Sequence, residues 1–189
     1  MKKIAIFASG AGSNAQNIAE YFRNNERVKI ECVLSNKTDA YVLERAKNLE
    51  IDTLTFSRDD FYNGKNVLHF LQLRGVDFIV LAGFLWLIPG YMLDAYNGRI
   101  INIHPALLPK YGGKGMYGMK VHQAVVAAHE IETGITIHHV NAKYDEGDII
   151  FQAKCPVLDG DTPEMVAQKV HRLEYEYYPG VIEKMLEKL

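Results

Sequence analysis

An asparagine and a histidine stand two positions apart in the segment Ile101-Asn102-Ile103-His104-Pro105. Because side chains alternate between the two faces of a strand, Asn102 and His104 would share one face and the two isoleucines the other. An amide and an imidazole on one face can both donate hydrogen bonds to a developing oxyanion. Pro105 ends the strand, since it holds His104 out of the helical region. The alternative interpretation is structural, with both side chains only capping a strand edge.

A glycine-rich segment, Ser9-Gly10-Ala11-Gly12-Ser13-Asn14, follows the apolar run near the amino terminus. Backbone N–H groups at the start of a following helix, with the serine hydroxyl and the asparagine amide, predict a site for a phosphate monoester. A dinucleotide is the competing ligand, because the segment and Ala15 fit the pattern G-x-G-x-x-A. That pattern expects an acidic residue after the second strand, where Ser35-Asn36-Lys37 stands and Asp39 comes late. A plain tight turn is the third interpretation.

A carboxylate, Asp145, lies in the segment Tyr144-Asp145-Glu146-Gly147-Asp148. On its own this is an ordinary turn, since Asp and Gly are common turn residues. If the fold returns the turn to His104, the carboxylate would raise the pKa of the histidine and orient its ring.

Strand-like and helix-like runs alternate in the first half of the chain, which predicts a doubly wound, mostly parallel sheet flanked by helices, a Rossmann-like fold. The hydrophobic patterns predict strands over 3–8, 28–35, 53–56, 78–82 and 100–103, and helices over 13–22, 40–48 and 59–73. In such sheets the carboxyl end of a central strand is where ligands bind, so Asn102 and His104 would lie at a site.

The pattern changes after residue 104. We expect a loop over 105–118, a helix over 119–130, and an antiparallel hairpin of strands 134–140 and 149–157. A final helix over 162–189 would begin at an Asp161 or Thr162 cap with Pro163 in the first turn, and Pro179 should interrupt it.

Bulk properties limit the function classes. The chain has 189 residues, 48% of them hydrophobic, and a formal charge of −2, which predicts one domain and no nucleic-acid partner bound through a basic surface. No apolar run is long enough for a membrane span or a signal peptide, so we expect a cytoplasmic protein with Cys32 and Cys155 buried and reduced. Four histidines invite a metal hypothesis, but HExxH and paired cysteines are absent, so no metal is expected; they are His122, His129, His138 and His139.

Together these segments resemble the glycinamide ribonucleotide formyltransferases, members of the folate-dependent formyltransferase family. The resemblance covers nearly the whole chain. It runs through the segments 9–14, 80–84 (Val-Leu-Ala-Gly-Phe), 101–109 (Ile-Asn-Ile-His-Pro-Ala-Leu-Leu-Pro), 134–138 (Gly-Ile-Thr-Ile-His) and 144–150. The Asn-x-His-Pro-x-Leu-Leu-Pro segment is shared by folate-dependent formyl transfer to different acceptors. The glycine loop and the short chain point to the ribonucleotide as acceptor.

The resemblance implies a role for each site residue. Asn102, His104 and Asp145 match the catalytic residues. Gly12, Ser13 and Asn14 would hold the substrate phosphate, and Glu174 and His171 would lie at the ribose. The folate pocket would be formed by Leu85, Trp86, Leu87, Ile88, Asn102, Val140 and Asp145. Residues 1–104 would form a nucleotide-binding half and residues 105–189 a folate and active-site half of one domain.

The sequence departs from the family pattern in three places. Trp86 stands where an arginine often follows Ala-Gly-Phe, and His171 stands where a glutamine is common. The loop Gly112–Gly118 is longer and richer in glycine than usual, and we expect it to be a mobile flap near the site. It is not a phosphate-binding Walker loop, because no strand precedes it and no Ser or Thr follows Lys114.

The activity that the resemblance implies is transfer of a formyl group from 10-formyltetrahydrofolate to the amine of glycinamide ribonucleotide, in purine biosynthesis. The amine would attack directly, protonated His104 and Asn102 would stabilise the oxyanion, and Asp145 would keep His104 charged and relay a proton. The partners would be these small molecules, with no membrane, and the protein a monomer or weak homodimer. A nicotinamide-dependent oxidoreductase and a non-catalytic nucleotide-binding module are the alternatives.

Overall fold

A single seven-stranded sheet runs through the computed structural model, which describes all 189 residues, and its strand order is β3-β2-β1-β4-β5-β6-β7. The strands are β1 Lys2–Phe7, β2 Val28–Ser35, β3 Thr53–Thr55, β4 Phe78–Leu81, β5 Ile100–His104, β6 Glu132–His139 and β7 Ile149–Pro156. The helices are α1 Ser13–Phe22, α2 Tyr41–Asn48, α3 Arg58–Tyr62, α4 Asn66–Leu73, α5 Gly90–Ala95, α6 Met119–Ala127 and α7 Pro163–Leu186. The predicted doubly wound, mostly parallel fold is confirmed.

Helices cover both faces of the sheet, and the alternation of side chains in β1 shows how. Ile4 and Ile6 are buried in one hydrophobic core, which also holds residues of α1, α2, α6 and α7. Ala5 and Phe7 are buried in a second core with residues of α3, α4 and α5. A central strand buried on both faces needs this continuous apolar run, which is why β1 and β4 could be recognised in the sequence.

Strand β6 runs opposite to its two neighbours and brings distant residues to β5. Strands β1 to β5 pair in parallel, whereas β6 pairs antiparallel with both β5 and β7. The register sets Asn102 opposite His138, and His104 opposite Thr136. The predicted hairpin is therefore present. Strand β6 ends opposite Ile101, near the start of β5, and the turn that follows folds back so that Asp145 reaches His104.

The predicted helix over 59–73 is wrong, because the chain forms α3 and α4 with a break between them. Ser57 caps α3 in a capping box: its Oγ accepts the Asp60 N–H at 3.1 Å, and Asp60 Oδ2 accepts the Ser57 N–H at 3.1 Å. After Gly64, Lys65 adopts a positive φ of 54° at the start of α4, which is incompatible with one continuous helix. Helix α5 was not predicted, since its six residues are too few to show a period.

The predicted interruption at Pro179 is also wrong, because α7 continues through this residue to Leu186. Proline has no N–H to donate to the carbonyl four residues earlier, which belongs to Tyr175. Asn17 of α1 supplies the missing donor, with its Nδ2 atom 3.0 Å from that carbonyl oxygen. The predicted start of the helix is confirmed, with Thr162 as the cap and Pro163 first.

The cysteine prediction holds in part. Both thiols are free, and Cys32 is buried, but Cys155 is half-exposed. Burial raises the pKa of Cys32 to about 12, so this thiol is not a nucleophile at neutral pH. None of the helices has the length and hydropathy that crossing a bilayer requires.

Two glycine substitutions should have opposite effects on stability. A Cβ atom on Gly134 would overlap the carbonyl oxygen of Ala153 on β7, so Gly134→Ala should separate the two strands and lower the free energy of unfolding. Gly180 lies inside α7 with no atom near a new Cβ, so Gly180→Ala should stabilise the protein by about 0.5–1 kcal/mol. Chemical denaturation of both variants measures these changes, and a neutral Gly134→Ala would contradict the tight β6–β7 contact.

Candidate active site

A cavity of about 710 Å³ opens at the carboxyl ends of the central strands. Its size falls within the range of small-molecule sites. Its wall includes the ends of β1, β4 and β5, the loop 113–118, and residues of α6 and α7. The polar residues in the wall are Ser9, Lys37, Asn102, His104, Lys114, His122, Asp145, His171 and Glu174, and the largest apolar ones are Phe84, Leu85, Met116, Tyr117, Met119 and Tyr144.

Asn102 is held by His138 across the β5–β6 pair. His138 Nδ1 lies 2.8 Å from the carbonyl oxygen of His139, so this nitrogen carries the proton and donates it. The other ring nitrogen, Nε2, is then an acceptor for the Asn102 amide, whose Nδ2 atom is 3.1 Å away. A backbone carbonyl thus fixes the tautomer of His138, and the tautomer fixes which end of the Asn102 amide is the donor.

His104 is buried beside Asp145, as the sequence analysis anticipated. Its Nε2 atom lies 2.7 Å from the carbonyl oxygen of Tyr111 and donates to it. Its Nδ1 atom lies 3.5 Å from Asp145 Oδ2, which also accepts the Gly113 N–H at 2.9 Å. The other carboxylate oxygen, Oδ1, lies 3.6 Å from His138 Nε2, beyond a direct hydrogen bond. The three predicted catalytic residues therefore lie together.

Asp145 acts to raise the pKa of His104, as expected, but the expectation that it keeps His104 protonated is wrong for the resting protein. Burial lowers the pKa of His104, and the attraction of Asp145 and the bond to Tyr111 offset this only in part. His104 is therefore neutral at pH 7, with its proton on Nε2 and a free lone pair on Nδ1. It starts as a proton acceptor facing a carboxylate, not as an imidazolium.

Asp145 remains ionised although it is largely buried. Burial acts to raise the pKa of its carboxyl, but His138, His104 and the Gly113 N–H together lower it below the ordinary value. The residue has a positive φ of 56°, a strained conformation that tends to occur at functional sites. Gly147 makes the turn possible, because a Cβ atom there would overlap the carbonyl oxygen of His139.

The glycine segment lies at the start of α1, beside this cavity. Ser9 and Gly10 line the cavity, whereas Gly12, Ser13 and Asn14 are not among the residues of its wall. Gly12 has a φ of 73° and no side chain caps α1, so the N–H groups of the first helical turn have no partner. These donors are available to an anion. A Cβ atom on Gly12 would overlap Val42, so a substitution there would disturb packing as well as any ligand.

Glu174 connects the glycine segment to the cavity. Its Oε2 atom accepts hydrogen bonds from Asn14 Nδ2 at 2.9 Å and from His171 Nδ1 at 2.7 Å. Glu174 is buried, and its hydrogen bond raises the pKa of His171. The predicted ribose residues Glu174 and His171 therefore form one acidic and basic pair in the cavity wall.

The residues predicted to bind folate lie in two settings. Leu85 lines the cavity, with its N–H donating to Ser9 Oγ at 3.0 Å. Trp86 packs beside Tyr62 and Phe56, with ring centroids 6.1 and 6.0 Å away, and Arg58 lies over its ring at 5.6 Å. Trp86 does not line the cavity, and neither do the remaining three: Leu87 accepts a hydrogen bond from Tyr62, Ile88 is buried and Val140 packs on the second core.

Sequence reasoning missed Lys37 and His122 as wall residues. Lys37 follows the second strand, and its place at the strand's carboxyl end was the available signal. His122 was considered only for a metal site, and no group of three or more His, Cys, Asp or Glu side chains is placed to hold a metal ion. The loop 113–118 lines the cavity, which agrees with its predicted position.

The chain belongs to the formyl transferase family, whose pattern matches residues 2–182. It is 40% identical to the phosphoribosylglycinamide formyltransferase of Haemophilus influenzae, an alignment that covers 99% of this chain and 88% of that protein. It is 37% identical to the phosphoribosylglycinamide formyltransferase of Bacillus subtilis, covering 98% and 95%. The crystal structure of the enzyme of that name from Bacillus halodurans has a TM-score of 0.88 at 34% identity, covering 99% and 96%. The predicted family resemblance is confirmed.

Stability should depend on pH through His104. Because its pKa in the fold is below its ordinary value of 6.5, the unfolded chain binds more protons below that pH, and the folded state loses stability as pH falls. His122 acts in the same direction, and His171, whose pKa is raised, acts in the opposite one. We expect His104→Gln to reduce the loss of unfolding free energy between about pH 7.5 and about pH 5.5.

Urea unfolding at several pH values measures this difference, and His69→Gln on the exposed face of α4 is the control for removal of any histidine. An unchanged pH dependence in His104→Gln would show that the fold does not lower the pKa of this imidazole.

Proposed function

We propose that this protein transfers the formyl group of 10-formyltetrahydrofolate to the amine of glycinamide ribonucleotide, a step of purine biosynthesis. The observation that carries the proposal is the grouping of Asn102, His104 and Asp145 in one cavity, within a chain of the formyl transferase family. The names of the relatives, phosphoribosylglycinamide formyltransferases, support this acceptor. Purified protein should form formylglycinamide ribonucleotide and tetrahydrofolate, followed by the change in folate absorbance.

The acceptor fits the side of the cavity next to α1. The unpaired N–H groups at the start of α1, with Gly12, Ser13 and Asn14, would hold the phosphate. Glu174 and His171 would bind the ribose hydroxyls, because a carboxylate accepts from hydroxyl groups and an imidazole can donate to them. The amine of the substrate would then extend toward Asn102 and His104.

The formyl donor fits the opposite side. The apolar wall formed by Phe84 and Leu85 suits the flat pterin ring, and Asn102 and Asp145 would complete the pocket with polar contacts. Trp86, Leu87, Ile88 and Val140 would support this wall from behind. When bound, the folate supplies an activated formyl carbon.

The catalytic groups would act on charge that develops during attack by the amine. Asn102 Nδ2 would donate to the formyl oxygen as it becomes negative. Neutral His104 has a free lone pair on Nδ1, which can take the proton that the amine loses. The imidazolium formed in this way would then donate from Nδ1 to the Asp145 carboxylate, 3.5 Å away. The same proton would pass to the folate nitrogen as its bond to the formyl carbon breaks and the carbonyl re-forms, which releases tetrahydrofolate. This order replaces the protonated histidine that the sequence suggested.

The division into two halves is proposed as a functional one. Residues 1–104 would bind the nucleotide, and residues 105–189 would complete the folate and active site. One hydrophobic core contains residues of both parts, from Ile4 to Leu186, so the halves fold together.

We further propose that the protein is a cytoplasmic monomer or weak homodimer, which binds these small molecules and neither nucleic acid nor membrane. The free thiols of Cys32 and Cys155 support a reducing compartment.

Glu174 should contribute to binding of the ribonucleotide and not of the folate. Glu174→Ala removes the carboxylate that pairs His171 with Asn14, so KM for glycinamide ribonucleotide should rise by about tenfold or more. KM for the folate should stay within about twofold. Steady-state kinetics with each substrate varied in turn measures both constants, and an equal rise of the two would refute the ribose contact.

His104 and Asp145 should act as one unit in catalysis. His104→Ala and Asp145→Ala should each lower kcat by about a hundredfold to a thousandfold, with little change in KM for either substrate. Because the carboxylate works through the imidazole, the double variant should be barely slower than the slower single variant. Single-turnover rates of the four proteins give the coupling, and multiplicative losses would mean that Asp145 acts on another group.

A further inference from the structure

His122 is a buried histidine with unused hydrogen-bonding groups in the cavity wall. It lies on α6 and is 2% exposed. Neither ring nitrogen makes a hydrogen bond, and Nδ1 is buried without any partner. Buried polar side chains nearly always have a partner, so an unpaired imidazole in the wall of a ligand cavity calls for an explanation.

Its neighbours are the residues that the proposed function places at the ribose. The His122 ring centroid lies 6.5 Å from that of His171, with the planes at 70°. His171 bonds Glu174, which also accepts from Asn14, and Asn14 Oδ1 is a second buried atom without a partner. Two of the five such atoms in the protein therefore belong to residues around Glu174.

The chemistry of the unused groups limits what could bind them. Burial, with the nearby His171, lowers the pKa of His122, so the ring is neutral and has one N–H and one lone pair. A phosphate would prefer a cation, and an apolar ring would leave both nitrogens unpaired. A hydroxyl group both donates and accepts, and a ribose presents two of them side by side.

We propose that His122 is a specificity-determining residue that hydrogen-bonds a ribose hydroxyl of the acceptor substrate, alongside Glu174. This inference rests on the proposed function, because it needs a ribonucleotide as the acceptor. Its consequence is that the enzyme discriminates against deoxyribose through two helices, α6 and α7, and not through Glu174 alone. A deoxy substrate would leave the imidazole unpaired, as it is in the free protein, and would lack the hydrogen bond that favours the ribonucleotide.

The test compares substrates across variants. The parent protein and His122→Ala are assayed with glycinamide ribonucleotide and with its 2′-deoxy and 3′-deoxy analogues. We expect His122→Ala to lower kcat/KM for the ribonucleotide by about tenfold, mainly through KM, and KM for the folate to be unchanged. With the analogue that lacks the contacted hydroxyl, kcat/KM should be about the same for His122→Ala as for the parent protein.

Two controls separate recognition from packing. His122→Phe keeps the volume of the ring but removes both nitrogens. If His122→Ala folds poorly and His122→Phe folds well, the folding defect comes from lost packing. His122→Phe should still lose the preference for the ribonucleotide over the deoxy analogue. His69→Phe on α4 is the matched surface variant and should leave all constants unchanged. In the unmodified protein, the ring-nitrogen NMR shifts of His122 should change when glycinamide ribonucleotide is added, which requires no variant to fold.

The outcomes are distinct. Equal losses with all three substrates, no loss with the ribonucleotide, or unchanged nitrogen shifts at saturating substrate would overturn the inference and leave His122 as a structural residue. Failure of the parent protein to formylate the ribonucleotide would instead overturn the proposed function, and the inference about His122 with it.

Discussion

The buried negative charge of Asp145 is the constraint around which the site is arranged. A carboxylate that is 11% exposed loses most of its hydration, and burial alone would protonate it. In the resting protein the Gly113 N–H donates to it at 2.9 Å, and the rings of His104 and His138 lie at 3.5 and 3.6 Å, where a proton gained by His104 would face the carboxylate. These groups belong to the loop after β5, to β5 and to β6. The loop, both strands and the turn carrying Asp145 must therefore converge before the charge can be buried.

Backbone carbonyls decide the protonation of the two histidines around that charge. Tyr111 O takes the Nε2 proton of His104, and His139 O takes the Nδ1 proton of His138. Each histidine is left with one lone pair, and these two lone pairs face Asp145 or Asn102. Since a main-chain carbonyl cannot be removed by substitution of its own side chain, the tautomers depend on the fold itself. A change in the loop after His104 that moves the Tyr111 carbonyl would thus alter the tautomer of His104, although the histidine itself is not substituted.

Local patterns predicted much of the fold and part of the site. The strands with continuous apolar runs were recognised, and alternation placed Asn102 and His104 on one face. Failures occurred where a distant group decided the local structure: Asn17 supplies the donor that Pro179 lacks, and nothing near Pro179 in the chain indicates this. The approach of Asp145 to His104 likewise depends on the antiparallel register of β6. The pKa of His104 was predicted in the wrong direction because the pair attraction was anticipated and the degree of burial was not.

The proposed catalytic groups and the proposed binding groups differ in how their hydrogen bonds are used in the resting protein. Asn102 Nδ2 donates one of its two protons to His138, which orients the other, and His104 Nε2 donates to Tyr111, which leaves the Nδ1 lone pair free. The oriented amide proton should favour the more negative oxygen of the transition state over the neutral formyl group, and the lone pair can take a proton as the amine attacks. The N–H groups at the start of α1 and the ring nitrogens of His122 are unpaired, and we propose that they gain hydrogen bonds when substrate binds. On this proposal the first set acts mainly on rate and the second mainly on affinity, because charge develops at the first set only during the reaction, whereas the second set contacts the bound substrate.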